Sequence, residues 1–179
     1  MDVEQRISSK QKGDVTESRV VELVTLGSVG QLTCYTPTSD DDGIDLIINK
    51  KGDFKPIFIQ VKSRFKLAKG RQFIQNVGLS TFKSHKSFYI IFIYFNENTF
   101  EVECVWLIPS VDFERIAYLK KSGKNYKSFY RFAANPLTDT NQWSKFRIPK
   151  EGLGQELLQI MDSDSKGEKQ SIPDIVSTV

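Results

Sequence analysis

The sequence predicts an α/β fold, one domain built around a central mixed β-sheet flanked by helices, with a helix first. Three observations predict it. An amphipathic helical pattern stands near the N-terminus. Short β-rich runs follow it, separated by turns rich in Gly and Asp. The run at 88–95, FYIIFIYF, is apolar throughout and reads as a strand buried on both faces. The 179 residues fit a single domain. A chain of this length buries a core without disulfide or metal staples.

The first helix is expected over Thr16–Leu26, with Asp14 or Thr16 as its cap and Gly27 as its stop. Val20, Val21 and Val24, with Leu23, form its apolar stripe. Residues 1–13 lack periodicity and are expected to form a loose leading segment. Strands follow over Leu32–Thr36, Ile44–Ile48 and Pro56–Ser63. The turns between them are SDDDG at 39–43 and NKKGD at 49–53, the second closing a hairpin. Gln72–Leu79 reads as a further strand and Thr81–Lys86 as a short helix. Phe88–Phe95 is expected to pair with Glu101–Leu107 across the turn NENT. Pro109 breaks the chain, and Val111–Lys121 is expected to be helical. Residues 162–179 are rich in Ser and Asp and read as a disordered tail, which leaves 14–161 as the domain.

Composition excludes several classes. Hydrophobic residues at 39% and charged residues at 26% describe an ordinary globular chain, neither fibrous nor wholly disordered. The 25 Lys and Arg against 22 Asp and Glu leave a net charge of +3, too mild to indicate a nucleic-acid partner alone. No run approaches the ~18 apolar residues of a membrane span. The opening MDVEQRISSKQKGD has no apolar signal core. Cys34 and Cys104 form no CxxC pattern, which points to a reduced, cytoplasmic setting, and both read as inert thiols in apolar strands. The single histidine, His85, excludes His-rich zinc sites, and its neighbours Ser84 and Lys86 suggest an exposed loop rather than a catalytic triad. Trp106 and Trp143 read as packing residues.

Four side chains stand out against this background. On a helix, Glu17 shares a face with Val20, Val21 and Val24, so its carboxylate needs a cation or donors unless it only complements the helix dipole. Asp45 lies inside the aliphatic run of Ile44, Leu46, Ile47 and Ile48, where a charge is costly unless paired or bound to metal; the alternative is an edge position facing water. Alternation puts Ile57, Ile59 and Val61 on one strand face and Phe58, Gln60 and Lys62 on the other. The hairpin can bring Asp45, Gln60 and Lys62 to one spot, or Gln60 and Lys62 simply face solvent.

Glu17 in KGDVTESRVVEL, Asp45 in GIDLII, and Gln60 with Lys62 in IQVKSR together resemble the PD-(D/E)XK nuclease superfamily. The likeness is greatest to archaeal Holliday junction resolvase-like proteins and to type IV, methyl-directed restriction nucleases. It covers residues 12–64 by motif and 65–110 by element order. It implies a restriction-endonuclease-like core and metal-dependent hydrolysis of DNA phosphodiester bonds. Asp45 is then the central ligand of Mg²⁺, or of Mn²⁺ in its place. Gln60 offers its amide oxygen, Val61 its backbone carbonyl, and Glu17 binds directly or through water. Lys62 orients the attacking water or takes its proton, and offsets charge on the phosphate. Ile44 stands where the superfamily's name has proline. Gln60, where an acid is usual, brings a dipole instead of a second anion. The alternative is therefore a nuclease-fold module with little or no catalysis that binds nucleic acid or a partner protein in a restriction, defence or repair system. The junction-resolvase likeness also implies a homodimer, because paired cuts suit two-fold symmetry.

The partner implied is DNA. From residue 50 to 90 ten Lys and Arg oppose the single carboxylate of Asp53. Arg64, Lys66, Lys69, Arg71, Lys83 and Lys86 are the backbone-binding candidates nearest the motif. The segment KKSGKNYKSFYRF at 120–132, with Lys124 and Lys127, is either one wall of a DNA groove or a solvated loop anchored by Phe129 and Phe132. No separate recognition domain is visible, so sequence preference is expected to be low or to reside in a partner subunit.

Overall fold

The computed structural model describes residues 7–39, 42–124 and 127–169. In chain order its elements are α1 (Ser9–Gly27), β1 (Leu32–Tyr35), β2 (Leu46–Lys50), β3 (Ile57–Arg64), β4 (Phe73–Gly78), β5 (Phe88–Phe95), β6 (Val102–Pro109), α2 (Ser110–Ile116), β7 (Tyr118–Lys120), β8 (Phe129–Ala134), β9 (Arg147–Ile148) and α3 (Leu153–Lys169). Six strands make the main sheet in the order β1-β2-β3-β5-β6-β9. Only the β3–β5 pair is parallel, so the sheet is mixed. A second sheet has the order β4-β8-β7. The fold is α/β, with a helix first, as the sequence predicts.

The run FYIIFIYF occupies the middle of the main sheet because both its faces are covered. Tyr89, Ile91, Ile93 and Phe95 enter one core, with Val20 and Val24 of α1 and Leu153, Leu157, Leu158 and Met161 of α3. Phe88, Ile90 and Phe92 enter the other, beneath the three-stranded sheet and α2. That second core is mostly aromatic. Phe92 stacks on Phe132 at 4.0 Å, and Trp143 lies 4.9 Å from Phe132. Both tryptophans are buried packing residues, as expected.

Where α1 ends, α3 begins. A Cβ on Gly154 would lie 2.5 Å from the Ser28 nitrogen, so only glycine lets the two helices approach this closely.

Several boundaries differ from the sequence reading. The first helix starts at Ser9, inside the segment expected to be loose. Ser8 caps it through a reciprocal pair, its Oγ accepting from Gln11 N at 3.2 Å and its N donating to Gln11 Oε1 at 2.9 Å. Residues 1–6 of that segment lie outside the described residues. Likewise α3 runs through 162–169 of the expected tail, and Asp162 pairs with Lys50 of β2; residues 170–179 lie outside the described residues. Thr81–Lys86 is irregular rather than helical. The helix expected over 111–121 stops at Ile116, because Ala117 turns extended and Tyr118 joins the second sheet. Residues 129–134, read as part of a loop, are its central strand β8.

Candidate active site

The β2–β3 hairpin builds the centre of the site. Its register pairs Leu46 with Ile59 and Ile47 with Phe58, which sets Asp45 against Gln60. Asp45 straddles that residue. Its N–H donates to Ile59 O at 2.9 Å, and its Oδ2 accepts the N–H of Val61 at 2.5 Å. The carboxylate is half-buried. A hydrogen bond from a backbone N–H to a carboxylate is charge-assisted, and here it fixes the orientation of Asp45 against β3.

Gln60 is 1% exposed. Its face is covered by Thr81 and by the backbone at Gly43, where a Cβ would stand 2.8 Å from Gln60 Nε2 and 2.5 Å from Thr81 O. Gly43 also has φ +67°, so both space and conformation demand glycine. Gln60 Oε1 is buried and accepts no hydrogen bond from the described residues. An unpaired buried acceptor costs about 1–3 kcal/mol. An amide oxygen and a carboxylate on opposed residues of one hairpin are hard oxygen donors, so the residue types fit a divalent metal.

Lys62 lies on the same strand face as Gln60, half-buried. A bond between Thr16 and Ser63 ties the helix to this end of β3; Asp14 and Thr16, expected as caps, lie inside α1, whose cap is Ser8. Thr16, 1% exposed, donates its hydroxyl to Lys12 O at 2.6 Å and shares a hydrogen bond with the Ser63 hydroxyl at 2.8 Å. Glu17 follows it, half-buried at the end of β3 that carries Lys62. The sequence offered Thr16 only as a cap; its contact with Ser63 gave no signal, because that partner is 47 positions away. On the other side β4 crosses β3, with Gln75 Nε2 donating to Ser63 O and Arg64 Nε donating to Ile74 O at 2.9 Å. No group of three or more His, Cys, Asp or Glu side chains gathers among the described residues, so any metal here rests on few anions.

The basic candidates do not form one cluster. Arg64, Lys66, Lys69 and Arg71 are exposed on the connection from β3 to β4. Lys83 faces Asp42 at 3.9 Å, beside Gly43. Lys86 instead sits at the other end of β3, where Phe58 N donates to Ser87 O at 2.8 Å. Four residues separate Phe58 from Lys62, about 13 Å of strand. Lys50, Lys51 and Lys55 belong to that distant end as well, so the basic excess at 50–90 is divided between two ends of the hairpin. Lys124 and Lys127 are exposed in the β7–β8 connection.

The remaining titratable candidates stay out of the chemistry. His85 is exposed, its N–H donating to Ser110 Oγ and its Nδ1 accepting from Ser87 N. Burial pushes the Cys34 thiol up to about 11 and the Cys104 thiol up to about 12, as befits packing residues.

No family model matches the chain, and no curated protein matches it. Among solved structures it is similar to a bacterial homing endonuclease, I-Ssp6803I. The TM-score is 0.57 at 15% identity, over 91% of this chain and 99% of that one. The chain thus shares the fold of that endonuclease. Among the described residues no helix is long and apolar enough to cross a membrane.

Proposed function

We propose that the chain is a divalent-cation-dependent endonuclease acting on DNA, with Asp45, Gln60 and Lys62 at its centre and Glu17 completing the site. One observation carries the reading. Asp45, its carboxylate held by Val61 N, stands opposite Gln60 in the hairpin register, and Gln60 Oε1 is buried and unpaired, in a chain with the fold of a homing endonuclease.

Asp45, the Gln60 amide oxygen and the Val61 carbonyl would hold Mg²⁺ or Mn²⁺, with Glu17 binding directly or through water. Such a cation, when bound, polarises the phosphate and acidifies the attacking water. The protein does the rest. Asp45 is pre-oriented by its bond to β3. Lys62 positions the water and presents positive charge to the phosphate oxygens as negative charge builds. Thr16 fixes the first turns of α1 against Ser63 and so sets where Glu17 stands. Arg64, Lys69, Arg71 and Lys83 lie on the chain segments around this point and suit a DNA backbone.

A specific observation favours a second reading, a nuclease fold that binds DNA with little cleavage. Gln60 supplies a dipole where an anion would bind metal more strongly, and the described residues gather no cluster of three acids. Cleavage of supercoiled plasmid and of branched DNA in Mg²⁺ or Mn²⁺ decides between them. Cleavage abolished by Asp45→Ala and by Lys62→Ala supports the nuclease. Intact DNA with undiminished binding supports the second reading.

A further inference from the structure

We infer that the outward face of the β4–β8–β7 sheet is a reading surface that lies in the major groove of duplex DNA and contacts base edges through Arg131, Asn76 and Tyr118. The inference rests on the proposed action on DNA and adds to it the element that recognises sequence.

Register and burial define the face. Phe73, Val77, Tyr130, Phe132 and Ala134 point into the aromatic core. Their alternates point the other way. Asn76 pairs with Arg131, which pairs in turn with Tyr118, so the three lie in one row across the three strands. Asn76 is exposed and Tyr118 is 67% exposed. This face is not an apolar surface awaiting a protein partner. Its central row carries a guanidinium, an amide and a phenol.

Arg131 is held ready for recognition. Its Nε donates to Asn76 Oδ1 at 3.2 Å, and its guanidinium lies 5.3 Å from the centre of the Phe129 ring. Both interactions leave the terminal nitrogens their donors, the fork that matches guanine O6 and N7. Asn76 keeps its own NH₂ donors, suited to a base acceptor beside the first.

Charge selects the partner. Residues 64–78 and 117–134 contain nine Lys and Arg and no Asp or Glu. The cations sit beyond both ends of β4, on either side of the row. Lys69 and Arg71 precede the Phe73 end of β4, and Lys124 and Lys127 stand beyond its Gly78 end, where Gly78 pairs with Phe129. The six residues of β4 span about 17 Å. The row crosses three strands, about 10 Å between the outer strand axes, against a major groove about 12 Å wide. A short polar face with cations at either end meets base edges in the middle and phosphates at the ends. The sheet is also tied to the cutting site. Gln75 and Arg64 join β4 to β3 at Ser63 and Ile74, next to Lys62.

The test is selection of bound duplexes from a pool with a randomised segment, using the full chain in EDTA so that nothing is cut. The unmodified protein is expected to enrich a preferred sequence. Arg131→Ala should lose preference at one base pair, on the order of 10- to 100-fold, with its salt dependence unchanged. Tyr118→Ala, whose side chain is mostly outside the core, should relax an adjacent position and serves if Arg131→Ala melts at lower temperature. Lys124→Ala should weaken all sequences alike and flatten the salt dependence. The inference is overturned if the unmodified protein enriches nothing, or if Arg131→Ala and Tyr118→Ala leave the selected sequence unchanged or weaken every sequence equally. Selective binding in EDTA, with no cutting of the selected duplex or of plasmid once Mg²⁺ or Mn²⁺ is supplied, would contradict the nuclease reading and leave this surface standing. Cleavage without selection would do the reverse.

Discussion

The Asp45 carboxylate accepts the backbone N–H of Val61 at 2.5 Å, so the residue that leads into β2 is locked across the strand that carries Gln60 and Lys62. The bond has two roles that substitution can separate. Asp45→Asn keeps an oxygen for Val61 and should melt close to the unmodified protein, yet lose cleavage. Asp45→Ala strands the Val61 donor and should also lose about 1–3 kcal/mol of stability. Urea denaturation beside a plasmid-cleavage assay checks both.

Gly43→Ala should damage fold and site together. The new methyl would meet Thr81 O at 2.5 Å and the Gln60 amide at 2.8 Å, at a φ of +67°. The expected loss is about 1–3 kcal/mol, read as a lower urea midpoint. A neighbouring exposed substitution, Ser84→Ala, should leave the midpoint unmoved.

The two thiols, Cys104 buried and Cys34 half-buried, set an alkaline limit. Both thiols have folded pKa values raised from 9.0, to about 11 for Cys34 and about 12 for Cys104, by burial. Their protonated forms therefore favour the folded state. That contribution is complete below pH 9.0 and is lost as pH rises toward 11–12, since the unfolded chain ionises first. Stability should fall between those limits, and native thiols should react with a maleimide far more slowly at pH 8 than thiols of the urea-unfolded chain. Equal labelling rates would contradict the burial.

Salt dependence should distinguish the two basic ends. Neutralising Lys69 or Arg71, beside the end of β3 that carries Lys62, should flatten the log–log salt slope of DNA binding by about 0.9 for each phosphate that is no longer neutralised. Neutralising Lys51 or Lys86, at the far end of the hairpin, should leave the slope unchanged. Filter binding at several salt concentrations measures it.

Local pattern revealed the frame of this fold. The run 88–95 matches β5 at both ends, and the Gly-containing turn at 49–53 placed the hairpin that sets Asp45 against Gln60. Composition misled where a polar helix carries few apolar positions. Along its whole length α1 buries only Thr16, Val20 and Val24, so residues 9–13 looked unstructured, although Ser8 and Gln11 form a capping box. In α3 the buried Leu153, Leu157, Leu158 and Met161 lie at helical spacing, a signal overshadowed by the polar residues after them. The cover over Gln60 was not legible at all. It depends on Thr81 and Gly43 meeting from distant parts of the chain, and no local period encodes that. For the same reason the sequence showed cations at 120–127 but not the sheet face beside them.

The most direct test of the site is plasmid cleavage titrated with Mg²⁺ and with Mn²⁺, comparing the unmodified protein, Gln60→Glu and Asp45→Asn. If Gln60 Oε1 is a metal ligand, Gln60→Glu keeps its fold and reaches half-maximal cleavage at a different, lower metal concentration, while Asp45→Asn cuts with neither metal. Identical metal dependence for the unmodified protein and Gln60→Glu, or undiminished cutting by Asp45→Asn, would contradict the assignment of these residues as the metal-binding centre.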